Sequence, residues 1–253
     1  MAEMGRAMIA TSQTMRDIRE IMRERRSTRV AFDPRRPVPE TDVCAILEAA
    51  RWAPTAHNMQ NFEILVVDDP SMLAAIGRIR TETSQEFVRE NYVQLSFSPD
   101  ELRRRGTGLL ATMFPIAWRS PHALSGDTAE FQHGFLDQSM APCPLVLIVV
   151  WDTRMRAPAS ENDFLGAMSL GCVMENMWLA AEALGIGFQI MSVFSGPAPE
   201  KELHRVFHLP DHMKIAFACR LGYPANPVPP YLRVRRAIGT FVHHNVFGNL
   251  RRA

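Results

Sequence analysis

An α+β fold built as one domain is predicted for this chain, on three observations. A long helix, apolar on most of its sides, is read over Asn162–Leu184. Short apolar strands are read at Phe62–Val67, Leu145–Trp151, Phe188–Val193 and Lys214–Leu221, out of regular alternation with helices, which favours α+β over a doubly wound parallel sheet. The 253 residues, 47% hydrophobic and 22% charged, suffice for one substantial core.

The elements follow in order. Residues 1–13 are expected to be a loose tail and 14–253 the domain. Met15, Ile18, Ile21 and Met22 have the spacing of an amphipathic helix ending near Arg25. A loop over Ser27–Pro39, punctuated by Pro34, Pro37 and Pro39, precedes a second helix. The run Pro39-Glu40-Thr41-Asp42 suits a helix N-terminus, and Val43, Ile46, Leu47 and Ala50 form its inward stripe. That helix must stop before Pro54. Asp68-Asp69-Pro70 turns the Phe62–Val67 strand into a helix over Ser71–Arg80. Residues 81–140, broken by Pro99, Gly106, Gly108, Pro115 and Pro121, read as an insertion or lid. Gly185 and Gly187 end the long helix, Pro199–Phe207 forms another, and 224–253 is a proline-rich arm.

Composition excludes several classes. Lys and Arg (28) nearly balance Asp and Glu (27), so no global field draws nucleic acid or an anionic membrane. The four cysteines form no C-x-x-C pair, which argues for a reducing, cytoplasmic setting without disulfides. Cys44, Cys172 and Cys219 lie in apolar runs and are expected to be buried. No apolar stretch is expected to reach membrane-spanning length, the longest, which closes at Ile148–Trp151, being far too short. There is no P-loop, no complete Rossmann fingerprint, no nucleophile elbow and no spacing that suits a metal. Lacking a strong acid, base or nucleophile set, the chain reads as one whose cofactor performs the chemistry.

Four segments then point to one family. Arg25-Arg26-Ser27-Thr28-Arg29, with Phe32-Asp33 and Pro37-Val38-Pro39 after it, resembles the opening R-R-S-x-R-x-F motif of the nitroreductase family. Ala49 through Phe62 resembles that family's A-A-x-x-A-P-S-x-x-N-x-Q-P-W. Leu184-Gly185-Ile186-Gly187 is similar to its L-G-L-G. Arg235-Arg236-Ala237-Ile238 through Asn245-Val246-Phe247-Gly248 is similar to its R-R-P-L…N-R-F-G close. The segments occur in family order.

The resemblance implies a three-layer sandwich with a central mixed sheet, in a homodimer whose C-terminal segments are exchanged. It implies FMN as cofactor, NADH or NADPH as donor, and ping-pong hydride transfer to a small conjugated acceptor such as a nitroaromatic, quinone or enone. Reductive dehalogenation, heterocycle dehydrogenation and a flavin-binding protein without turnover are the alternatives. Arg25, Ser27 and Arg29 would meet the phosphate or ribityl chain and Arg26 the ring; otherwise the run is a solvated basic helix end. Pro54, Thr55, Ala56, Asn58 and Gln60 would reach the flavin, unless Asn58 is an ordinary turn residue. Backbone amides of Ile190, Met191 and Ser192 would face the flavin N5 region. Arg236 would meet the phosphate, and Arg235 either joins it or belongs to an exposed amphipathic tail. For the pocket, His57 is either a proton donor or structural, and Phe97, Met113, Phe114, Trp118 and Phe131 either roof the ring or belong to the core. His57 and Asn61 depart from the family pattern, which suggests an acceptor other than a nitro compound.

Overall fold

Start signals in the sequence become helix caps in the computed structural model, which describes residues 17–79, 92, 94–113, 143–158, 160–191, 194 and 196–250. Helix α1 (Ile18–Glu24) is capped by Asp17, whose carboxylate accepts from the Arg19 amide at 2.8 Å. Helix α2 (Glu40–Arg51) follows Pro39, with Glu40 and Asp42 in its first turn. Helix α3 (Pro70–Gly77) is capped by Asp69, which accepts from the Ser71 and Met72 amides. Helix α4 (Pro99–Arg105) opens on a reciprocal box between Ser98 and Glu101. Helix α5 (Phe164–Ala183) and helix α6 (Pro197–Phe207) follow among the described residues.

The strands are β1 (Phe62–Val67), β2 (Ser96–Phe97), β3 (Leu109–Leu110), β4 (Leu145–Asp152), β5 (Gly187–Ile190) and β6 (Met213–Gly222). Four of them form a sheet in the order β1-β4-β6-β5 with antiparallel ladders. A parallel bridge from Ser27 to Phe188 makes the β5 edge mixed, and β2 pairs with β3 in parallel.

Alternation along β4 divides the apolar residues between two faces. Leu145, Leu147 and Val149 pack with Val43, Ile46 and Ala50 of α2 and with Val173, Met177 and Ala181 of α5. Val146, Ile148 and Val150 pack with Leu73 and Ile76 of α3 and Leu203 of α6. On β6 the parity changes: Met213 and Ile215 face the α3–α6 side, whereas Phe217, Cys219 and Leu221 face α2 and α5. The cause is a register shift, Val149 pairing with Phe217 and Val150 with Ile215, so that Ala216 is a bulge.

Several expectations need correction. The long helix was expected from Asn162, but Asn162 and Asp163 have φ of 51° and 52°, a left-handed geometry that cannot continue a right-handed helix. Gly187 does not end that helix; it begins β5. The 20 residues of α5 have the length and hydropathy of a membrane span, against the expectation that no segment reaches it, because Glu175 and Asn176 interrupt the apolar run without lowering its average enough. One side of α5 is nevertheless buried against α2 and the sheet. On α1 only Ile21 is buried; Ile18 and Met22 stay exposed in the single chain. Cys44 is exposed, while Cys143 and Cys219 are buried and Cys172 is partly covered. Cys44 follows Val43 by about 100° around the helix, which turns it away from the buried stripe.

Ile148 lies mid-strand with no exposure, so Ile148→Ala should cost about 2–5 kcal/mol in urea unfolding, whereas Val66→Thr on the exposed side of β1 should stay within about 0.5 kcal/mol. Burial pushes the Cys143 thiol from its ordinary 9.0 up to about 11. Its contribution to stability is therefore full below pH 9 and is lost as the pH rises towards 11, because the unfolded chain gives up the proton first. Unfolding midpoints of the wild type should fall over that window more than those of Cys143→Ala.

Candidate functional site

Helix α1 stops at Arg25, whose backbone turns extended (φ −46°, ψ 127°), and the following residues run along β5. Ser27 bridges Phe188, and the Thr28 amide donates to the Phe188 carbonyl at 2.8 Å. Close approach here needs glycine. A Cβ on Gly187 would lie 2.7 Å from the Phe32 ring, and one on its ladder partner Gly222 would lie 2.8 Å from it. Phe32 is fully buried over this pair. From β6 the buried Arg220 donates to the Val30 carbonyl and to the Gln189 side chain, each at 2.8 Å, and lies 4.6 Å from the Phe32 ring centroid. Segment 25–32 is thus held along the sheet edge from both sides.

Helix α5 supports the same segment from beneath. Trp178 stacks on Phe188 at 5.3 Å and donates its indole N–H to the Arg26 carbonyl at 3.4 Å. The Arg25 guanidinium sits 4.3 Å above the Trp178 ring. Its Nε lies 3.3 Å from a Glu175 carboxylate oxygen, within ion-pair range, yet this buried nitrogen has no hydrogen-bond partner among the described residues. Arg26 and Ser27 are half-buried beside it and Arg29 is exposed. The chain's arm returns to this point, where Arg233 Nη1 donates to the Glu24 and Arg25 carbonyls, both at 2.9 Å. The Arg25 side chain is thus packed against α5, and the Arg233 guanidinium lies against the backbone beside it.

A second set of sequence-predicted residues lies nearer the other end of α5. The Ala56 amide donates to Ser169 Oγ at 2.8 Å, and Ser169 in turn donates to the Leu165 carbonyl. Ser169 and Trp178 are nine residues apart on α5, roughly 13 Å along its axis. Between Thr55 and Asn61 the backbone is strained: His57, Asn58 and Gln60 have φ of 52°, 54° and 46°. Asn58 and Gln60 bond to each other (2.9 Å), and the Gln60 amide donates to Thr55 Oγ1 at 3.2 Å. Pro54, His57, Asn58 and Gln60 are exposed, with Thr55 and Ala56 partly covered. Asn61 is buried and turned inward, its amide donating to the Met155 carbonyl at 3.0 Å. Its side chain thus serves a structural contact in this chain.

The remaining sequence-predicted residues are dispersed. The Met191 amide donates to the Ala218 carbonyl at 2.8 Å and the Met191 side chain lies in the core, which corrects its expected role as a free donor. Antiparallel bonds alternate, so Ile190 is left with its amide on the β5 edge. Ser192, Phe114, Trp118 and Phe131 lie outside the described residues. Arg235 and Arg236 are exposed on the arm, Arg236 donating to the Thr240 hydroxyl and carbonyl. Phe97 sits on β2 with Arg105 4.4 Å from its ring centroid, and Met113 ends a short turn after β3. Sequence reasoning missed Glu175, Trp178, Arg220 and Arg233. An arginine inside the apolar strand run Ile215–Leu221 and a glutamate inside the apolar helix were the available signals.

Removal of the Ser169 hydroxyl orphans the Ala56 amide. Ser169→Ala should lower stability by about 1–2 kcal/mol in urea unfolding and speed hydrogen exchange at Ala56. Unchanged exchange there would show that the hydroxyl does not hold the loop.

Comparison with known proteins places this geometry. The sequence profile of the nitroreductase family matches residues 22–223. An iodotyrosine deiodinase from Thermotoga neapolitana is 24% identical over 219 residues, spanning 87% of this chain and 95% of that protein. An NADH dehydrogenase from Thermus thermophilus is 28% identical over 198 residues, spanning 78% of this chain and 83% of that one. A solved nitroreductase with bound FMN from Bacteroides fragilis has a TM-score of 0.54 at 22% identity, over 90% of this chain and 98% of that one, and so shares the fold. The matched span takes in the Arg25–Arg29 segment, the 49–62 loop and the start of β5, and the chain belongs to the nitroreductase family.

Proposed function

We propose that this protein is an FMN-dependent oxidoreductase that works as a homodimer. The observation behind the proposal is the guanidinium cluster on the β5 edge, where the buried Nε of Arg25 has no hydrogen-bond partner among the described residues. Arg25, Ser27, Arg29 and Arg236 would hold the phosphate and ribityl chain, with Arg235 beside them and Arg26 closer to the ring. The Ile190 amide and Ser192 would approach the flavin from the strand end. Bound FMN supplies hydride transfer, from NADH or NADPH to a small conjugated acceptor such as a nitroaromatic, quinone or enone. Donor and acceptor would share one space in turn, so ping-pong kinetics are expected. No side chain is required as a nucleophile.

Homodimerisation is supported by apolar surface that a single chain leaves uncovered. Phe164, Leu165 and Met168 on α5 are exposed, as are Ile238, Phe241, Val246, Phe247 and Leu250 on the arm, with Phe247 at 93%. Apolar surface of this extent is typical of an obligate interface. We infer that α5 packs across that interface, that the arms are exchanged in a three-layer sandwich, and that residues 54–60 meet the flavin of the other subunit. The four free thiols suit a cytoplasmic setting.

A second reading changes the reaction and keeps the site. Similarity to a deiodinase over most of both chains favours reductive dehalogenation of a halophenol.

The purified protein should be yellow, elute as a dimer, and be bleached anaerobically by NADH or NADPH. Arg25→Ala should weaken FMN binding roughly ten- to hundredfold. A colourless protein that takes up no FMN on reconstitution would falsify the reading. Flavin that binds but is bleached by neither nicotinamide would make it a binding protein without turnover. Steady-state rates with a nitroarene, a quinone, an enone and an iodophenol separate the two reactions.

A further inference from the structure

The guanidinium cluster stands at an unpromising place for an anion. Helix α1 ends there, and the C-terminus of a helix presents unsatisfied carbonyls and a partial negative charge. The Glu24 and Arg25 carbonyls point out of the last turn immediately before Arg26 and Ser27. Left alone, they would repel a phosphate held by the residues that follow.

Arg233 answers both problems with one side chain. Its Nη1 donates to the Glu24 and the Arg25 carbonyl at 2.9 Å each, and so places a full positive charge against the helix end. The same contact ties the C-terminal arm to the turn, from more than 200 residues away in sequence. The arm is fitted on its other side by Gly106, the left-handed residue (φ 67°) that ends α4. A Cβ there would lie 3.1 Å from the Arg236 Cα and 3.2 Å from the Arg235 carbonyl oxygen. The arm's path is therefore set between the ends of two helices, just where Arg235 and Arg236 branch from it.

We propose that Arg233 is a positioning residue that joins the C-terminal arm to the 24–29 turn and makes that turn selective for a phosphate-bearing flavin. It cancels the negative end of α1 and holds the Glu24 and Arg25 backbone in place, without itself being required to touch the cofactor. The proposal rests on the reading that the chain binds FMN, and its test separates the two.

Full-length protein, stripped of flavin, is titrated with FMN and with riboflavin, which lacks the phosphate. Wild type should prefer FMN. Arg233→Ala should weaken FMN binding roughly tenfold while changing riboflavin binding by less than about twofold, so that the preference collapses. Arg233→Lys, which keeps the charge and a donor, should restore part of the preference. Arg205→Ala, an equal loss of charge on the exposed face of α6, should leave the preference unchanged. An unaltered FMN-to-riboflavin ratio in Arg233→Ala overturns the proposal, including the case in which both affinities fall together as a general loss of structure would cause. If Arg233→Ala does not fold, Arg233→Gln carries the same comparison. A wild type that binds both flavins equally overturns the proposal and leaves flavin binding intact. A wild type that binds neither removes the FMN reading and this inference with it.

Discussion

How near the chain can come to β5 after its first helix decides most of the site. Gly187 and Gly222 face each other across the β5–β6 ladder, and the absence of two Cβ atoms gives the Phe32 ring a seat. With the ring seated, Thr28 reaches the Phe188 carbonyl and Ser27 is brought alongside the strand. Arg220 then closes the turn from the far side, its guanidinium buried and its pKa lowered by that burial, though never far enough to lose the charge. The segment that carries Arg25, Arg26 and Arg29 is placed by aromatic packing and backbone bonds. Of its charges, Arg25 is packed on Trp178 beside Glu175, whereas Arg29 is exposed.

Regular elements were legible because their signals are local. The Phe62–Val67 strand lies where its apolar run places it, and α2 starts after Pro39 because the prolines and carboxylates there allow little else. The family motifs located the Arg25–Arg29 segment and the 54–60 loop. What escaped is information that no short window holds. Cys44 and Cys219 both lie in apolar runs, but one sits a residue off the buried stripe of α2 and the other faces the core from β6. Whether the amide of Ile190 or of Met191 remains free depends on which rung of the ladder is bonded, and that is set by β6 about 30 residues later. Glu175 and Trp178 read as core positions of an apolar helix, and only their neighbours in space make them supports for Arg25 and Arg26.

Helix α5 shows how one element can serve a core and a site together. Its Val173, Met177 and Ala181 fill the layer between α2 and the sheet, and its Glu175 and Trp178 hold the Arg25 side chain and the Arg26 carbonyl. Its Ser169 holds the 54–60 loop roughly two and a half turns away. Phe164, Leu165 and Met168 remain uncovered. A helix apolar on nearly all sides is stable in water only if each side is covered. The side left bare lies at the loop end of α5, beside the residues that Ser169 anchors.

Backbone strain is concentrated in the loop between Thr55 and Asn61, where His57, Asn58 and Gln60 are left-handed. Two residues there depart from the family pattern, and the structure treats them differently. Asn61 faces inward, bonded to the Met155 carbonyl, while its own carbonyl accepts from the Asp152 amide, so it closes the end of β1 against the turn after β4. A proline at this position could not make the side-chain bond, and the asparagine is explained without reference to any substrate. His57 has no such explanation. It is exposed, in a left-handed conformation that costs a non-glycine residue of order 1 kcal/mol, between an amide anchored on Ser169 and the Asn58–Gln60 pair. Strain of that kind persists when its surroundings enforce it, and here both flanks do. Of the two departures, His57 alone is exposed, and it is held in its strained conformation by bonds on both of its flanks.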